Sequence, residues 1–293
     1  MPINLTNQIN RFSSNAATGI RPGYELEDAI KKAHADMSRR AKGHTDDIRN
    51  ESVRFLCGYF RTHSPFAIAD QGDFDEWHRK ACERYCAQMN AFITRNGFSF
   101  VITYGRAQKV LNMTFKYLFC TTAYRKNVEK IAAFLHMTLD GYTLNWYKEM
   151  VIPYFNRLPG TVTKLKKGSV SDWSKMNEPG MYQYKDIQEG IREYLSSASD
   201  YQYSILTNIV DEEFDNGTPS SKILVSVPFD PARKTPFYAE FIVWAGEIVR
   251  AKMNGLLKGL NATYENWADD EWAVNAKLKT DLKRKLTTLA GSI

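Results

Sequence analysis

Apolar side chains recur every three or four residues through most of the chain between Tyr24 and Phe155, a period that restricts it to packed amphipathic helices. The stretch from Asp73 to Thr94 shows this most fully, with an acidic start and Trp77, Ala81, Tyr85, Met89 and Phe92 along one face. Upstream, Ala29, Ala33 and Met37, then Ile48, Val53 and Leu56, predict two helices parted near Lys42-Gly43. A turn at Arg95-Asn96-Gly97 follows. The helical period then resumes from Gln108 to Cys120 through Leu111, Phe115, Leu118 and Phe119, again over 128–135, and again from Tyr142 to Phe155, with Asp140 at the N-cap position. The expected fold class is all-α.

The two flanking regions are patterned differently. Residues 1–23 are polar, rich in Ser and Asn, and end in Arg21-Pro22-Gly23, which predicts an irregular lead-in to a helical domain over 24–293. Within that domain, residues 156–235 carry Pro159-Gly160, the basic run Lys164/Lys166/Lys167, Gly168-Ser169 and Asn216-Gly217-Thr218-Pro219. This stretch reads as an insert holding helices at 183–197 and 200–213 and a short strand at 222–228. Helices over 236–260 and 269–289 close the chain.

A chain of 293 residues, 43% of them hydrophobic, can bury a large core. Its formal charge of +6 favours an anionic partner, and a phosphate backbone is the commonest one for a basic protein. Cys57, Cys82, Cys86 and Cys120 are too few and too scattered for a disulfide framework, which points to a reduced, cytoplasmic setting. Cys82 and Cys86 share a helical face but lack a second ligand pair, so no metal is expected. No apolar run reaches membrane-spanning length and the start lacks the apolar core of a leader, so neither membrane nor secretion is expected.

Two segments carry the chemistry: Tyr104-Gly-Arg-Ala-Gln-Lys109-Val-Leu-Asn-Met-Thr-Phe-Lys116, and His136-Met-Thr-Leu-Asp140-Gly-Tyr. Lys116 follows Lys109 by 7 residues and Asp140 follows it by 31. Together they resemble the lysine-to-aspartate core of the helix-hairpin-helix DNA glycosylases, most closely the archaeal 8-oxoguanine branch, in which a lysine opens a helix and an aspartate begins the next. Pro236-Phe-Tyr-Ala-Glu240-Phe-Ile-Val-Trp244 is similar to that branch's late segment, an acidic residue followed one turn later by tryptophan. Gly72 to Trp77 is similar to a helix start in its N-terminal half. The chain departs from the pattern where the glycine-rich hairpin is reduced to Gly105-Arg106-Ala107, where a proline near the aspartate is absent, and where 156–235 is long.

The resemblance implies a two-lobed helix-hairpin-helix fold with an insert, and a monomeric DNA glycosylase with abasic-site lyase activity that uses no cofactor. Lys109 and Asp140 would be catalytic, with Lys116 the second candidate for nucleophile. Glu240, Trp244, Trp77 and His136 would line the base pocket, and Arg106, Gln108 and Lys116 would contact DNA. Defence against phage carrying modified bases is a setting the resemblance permits. The chemistry itself asks for a flipped base, a carboxylate near the sugar as positive charge develops there, and an amine able to attack C1′. Tyr142, Trp146 and Tyr147 share a helical spacing and read as core. Two other readings stand beside the enzyme: a helical nucleic-acid-binding protein in which Lys109 meets phosphate and Asp140 only caps, and a module whose aromatic surface binds protein.

Overall fold

The computed structural model describes residues 5–39, 42–157, 172–177, 183–198, 200–206, 222–228 and 231–247. These are predominantly helical: α1 (Leu5–Ala17), α2 (Glu25–Ser38), α3 (Asp46–Thr62), α4 (Gln71–Arg95), α5 (Tyr104–Phe119), α6 (Arg125–Ile131) and α7 (Gly141–Trp146). A π turn over Tyr147–Val151 joins α7 to α8 (Ile152–Arg157). Then come α9 (Tyr184–Ser197), an antiparallel ribbon of β1 (Asp200–Leu206) and β2 (Lys222–Pro228) with Tyr203 opposite Val225, and α10 over 236–247. The fold class is all-α, with one ribbon among the described residues. No described helix is long and apolar enough to cross a membrane.

Helix α5 is the axis of the fold. Thirteen of its 16 residues are buried, because α2 and α4 pack along it, α3 bridges those two, and α1 and α10 close its C-terminal half. A helix buried on every side must satisfy its polar side chains internally, which decides the roles of Gln108, Asn112 and Lys116 below. The turn before α5 is set by Gly97, whose φ of 70° permits the left-handed end of α4, with Phe98 N donating to Ile93 O at 3.0 Å. Thr103 then caps α5, its hydroxyl accepting from Arg106 N.

Two expectations are corrected. The lead-in is not irregular over 5–17: α1 forms there because Leu5, Ile9 and Ala16 share one buried face, and Phe12 stacks on Tyr117 with centroids 5.6 Å apart. The helix expected from 200 is a strand, in keeping with the alternation Tyr201, Tyr203, Ile205 and with pairing to β2, which lies where the short strand was expected. The remainder of that expected helix, the Lys164/Lys166/Lys167 run and the helix at 269–289 lie outside the described residues, as does 248–260 of the helix predicted from 236.

Candidate active site

Between α6 and α7 the chain is irregular over 135–139, and among the described residues the backbone groups of 137–139 are met by side chains. Gln188 brackets Met137, accepting from its N–H at 3.1 Å and donating to its carbonyl at 2.7 Å. Gln108 brackets Leu139 in the same way, at 3.2 and 2.8 Å. A carboxamide offers one acceptor beside two donors, so a single side chain can stand in for a neighbouring strand. Between them, Thr138 N donates to Glu240 Oε2 at 2.7 Å, and Thr138 O accepts from the Thr143 hydroxyl at 2.7 Å.

This segment delivers Asp140. Its Oδ1 caps α7, accepting from Tyr142 N at 2.9 Å and Thr143 N at 3.2 Å, while Asp140 N donates back to Thr143 Oγ1 at 2.8 Å. The cap occupies one oxygen and leaves the other free for chemistry. Oδ2 lies 3.5 Å from Lys109 Nζ and accepts from Trp244 Nε1 at 3.3 Å. The Lys109 and Asp140 side chains are only 13% and 9% exposed, so an amine and a carboxylate face each other mostly withdrawn from water.

Aromatic rings surround the pair. Lys109 Nζ lies 4.8 Å from the Trp173 ring centroid, and Tyr142, 37% exposed, meets Trp244 edge-on at 5.9 Å. Trp173 belongs to a single turn, capped by Asp172, that lies across the start of α5. Thr103 Oγ1 donates to Ser174 O at 2.5 Å, and a Cβ on Gly105 would run into the Trp173 carbonyl, so the bare glycine is what permits the contact. Sequence reasoning missed Trp173; a lone tryptophan in a polar segment carries no periodicity to mark it. Trp146 and Tyr147 are core, as expected, whereas Tyr142, expected there with them, lies at the surface.

A second lysine–carboxylate pair lies sealed behind the first. Lys116 Nζ is 2.5 Å from Glu240 Oε1, with both side chains 2% exposed, and the ammonium is within 4.8, 5.5 and 5.7 Å of the Phe241, Phe12 and Trp244 rings. Burial raises the Glu240 carboxyl above its ordinary value, while the charge of Lys116 and its hydrogen bond oppose that rise.

Several expected contacts are therefore corrected. Lys116 and Gln108 are buried with internal partners and do not face DNA. Glu240 spends its oxygens on Lys116 and Thr138 rather than offering them to a base. Trp77 packs on Phe60, Phe74 and Phe115, its indole N–H donating to His63 O at 2.7 Å, partly buried against the α3–α4–α5 core rather than beside Lys109. Of the three residues assigned to DNA, Arg106 alone reaches the surface, where its guanidinium covers the Phe100 ring at 4.6 Å and donates to Val101 O.

His136 lines a cleft of about 770 Å³ whose walls include Gln71, Tyr184 and Arg192 but not Lys109, Asp140 or Trp244. Its Nε2 donates to Asp75 at 2.7 Å and its Nδ1 accepts from the Tyr184 hydroxyl at 3.0 Å. Burial lowers the His136 imidazole. Burial also pushes Asp75 up, but the hydrogen bond and charge of His136, with Gln71 and Arg192, outweigh it and hold that carboxyl at about 2. His136 thus serves a polar network on the far flank of the 135–139 segment.

Comparison with protein-family models, with curated proteins and with solved structures returns no match for this chain.

Proposed function

We propose that this chain is a DNA glycosylase with abasic-site lyase activity, acting on a damaged or modified base flipped out of duplex DNA. The observation that carries the reading is the Lys109–Asp140 pair: an amine 3.5 Å from a carboxylate oxygen, both side chains nearly enclosed, with Trp244 hydrogen-bonded to that same oxygen. Removal of a base breaks the bond from C1′ to the base nitrogen, which leaves with the electron pair and takes up a proton. Positive charge grows on the sugar as this happens, and a carboxylate in a partly desolvated site stabilises it. With Asp140 relaying protons and ending as a carboxylate, the Lys109 amine donates its lone pair to C1′; the C1′–O4′ bond then breaks as O4′ takes up a proton shed by the nitrogen, giving a protonated Schiff base, and loss of a C2′ proton expels the 3′ phosphate with the C3′–O electron pair. The ring faces of Trp244, Tyr142 and Trp173 offer stacking surfaces for an extruded base, and the net charge of +6 suits a phosphate backbone.

Borohydride reduction on duplex DNA containing an abasic site tests this directly. The wild-type protein is expected to be captured covalently and Lys109→Ala is not, while duplex affinity of the two at equal salt stays alike, because phosphate contacts are spread over many basic residues. The complete capping box favours a second reading, in which Asp140 only caps and the chain binds nucleic acid without chemistry; absence of both capture and excision by the wild type would support that reading and defeat the first.

A further inference from the structure

Resting on that reading, we propose that Glu240, held by Lys116, is a positioning residue that sets Asp140 for catalysis and makes no contact with the base. The path is continuous. Lys116 Nζ fixes Glu240 Oε1 at 2.5 Å, and Glu240 Oε2 accepts from Thr138 N at 2.7 Å. Thr138 O accepts from Thr143 Oγ1 at 2.7 Å, and that hydroxyl accepts from Asp140 N at 2.8 Å. Thr143 N in turn donates to Asp140 Oδ1, which commits that oxygen to the cap and turns Oδ2 toward Lys109.

The choice of residue types follows from the neighbours. Met137 and Leu139 each need an acceptor and a donor, which Gln188 and Gln108 supply. Thr138 needs only an acceptor, because Thr143 already serves its carbonyl. A carboxylate is all acceptor, and buried it requires a cation, which Lys116 provides from within an aromatic surround. Trp244, one turn beyond Glu240, meets the Lys116 ammonium with its ring and Asp140 with its indole N–H, so α10 touches Asp140's surroundings at two points. A pair with 2% exposure on each side has no face left for a nucleotide.

Two double variants isolate the acceptor. Lys116→Met with Glu240→Gln, and Lys116→Met with Glu240→Leu, both remove the buried charges, and differ in whether Thr138 N keeps a partner. Single-turnover base excision and borohydride capture on abasic DNA are measured for both at matched Tm. The leucine double is expected to be at least about thirtyfold slower than the glutamine double in both assays, since misplacing a catalytic group by even an ångström costs about a hundredfold. A loss confined to excision would mean that Glu240 reads the base, and equal rates for the two doubles would mean that the Thr138 contact is idle; either overturns the proposal. Should the leucine double fail to fold, Glu240→Asp keeps the charge beside Lys116 but withdraws the acceptor by one methylene, and the same parallel loss, about tenfold, is expected. Amide hydrogen exchange at Thr138 and Asp140 reads the clamp without substrate: it should be faster in the leucine double, or in Glu240→Asp where that variant stands in, and unchanged exchange overturns the clamp. Wild-type protein that neither excises nor is captured defeats the glycosylase reading alone, and the exchange result still decides the clamp.

Discussion

Lys109 and Lys116 stand two turns apart on one helix, each opposite a carboxylate, and the two pairs differ in every property that separates chemistry from architecture. The Lys109–Asp140 contact is 3.5 Å with side chains 13% and 9% exposed; the Lys116–Glu240 contact is 2.5 Å with 2% on each side. A fully buried pair is tolerable only when its geometry is tight and its remaining lone pairs are satisfied, and Glu240 meets both conditions through Thr138. A nucleophile needs the opposite: partial withdrawal from water, a loose partner and a way for substrate to reach it. The contrast arises from depth. Lys116 lies where α1 and α10 cross α5, with Phe12 and Phe241 over it, whereas Lys109 lies near the helix start under the single turn that carries Trp173.

The sharpest break between the pairs is in stability. Lys116→Ala strands a buried carboxylate and is expected to cost about 3–5 kcal/mol in denaturant unfolding. Lys109→Ala leaves Asp140 still bonded to Trp244 and to the α7 cap, and should cost less, about 1–2 kcal/mol. Equal losses would erase the distinction between the sites.

Asp140→Asn turns the comparison to rate. Asparagine keeps the cap through its one oxygen but turns an NH2 toward the Trp244 indole N–H and Lys109, so a modest fall in Tm is expected, while losing the negative charge beside the sugar should slow single-turnover excision, measured on folded protein, about a hundredfold or more, roughly 3 kcal/mol. Excision within about threefold of wild type would reduce Asp140 to a cap.

How much of this was legible follows the range of the interactions. The cap at Asp140 and helices α2 to α5 are written in spacing only a few residues long, and were readable. Helix α1 was not: its Ser and Asn content lowers local propensity, and what forms it is packing on Tyr117 and Phe241, distant in sequence. The strand at 200–206 is hard to read from sequence although Tyr201, Tyr203 and Ile205 alternate, because its partner lies beyond a long intervening segment. The resemblance implies DNA contacts for Gln108 and Lys116; only the burial of α5 reveals that they serve the 135–139 backbone and α10 instead. Trp173 lies in a segment without periodic pattern, and although the helix that holds Gln188 is legible at 183–197, nothing in its sequence places it against Met137.

Smaller effects sharpen the picture of the aromatic surround. Trp244→Ala should reduce excision about tenfold while reducing affinity for DNA that already holds an abasic site much less, since stacking on a flipped base is worth about 1–3 kcal/mol and needs a base to be present. Equal losses on both substrates would mark Trp244 as a support for Asp140 alone. Trp173→Ala removes a cation–π contact worth about 0.5–1 kcal/mol at Lys109, and a two- to fivefold fall in capture rate is expected. An unchanged rate would leave Trp173 as mere cover for the start of α5.

The nucleophile itself can be located by protease digestion of the borohydride-reduced complex and mass spectrometry of the peptide that carries the sugar remnant. The account predicts the modification on the Lys109 side chain and on no other amine. A remnant on Lys116, or on the amino terminus, would contradict it.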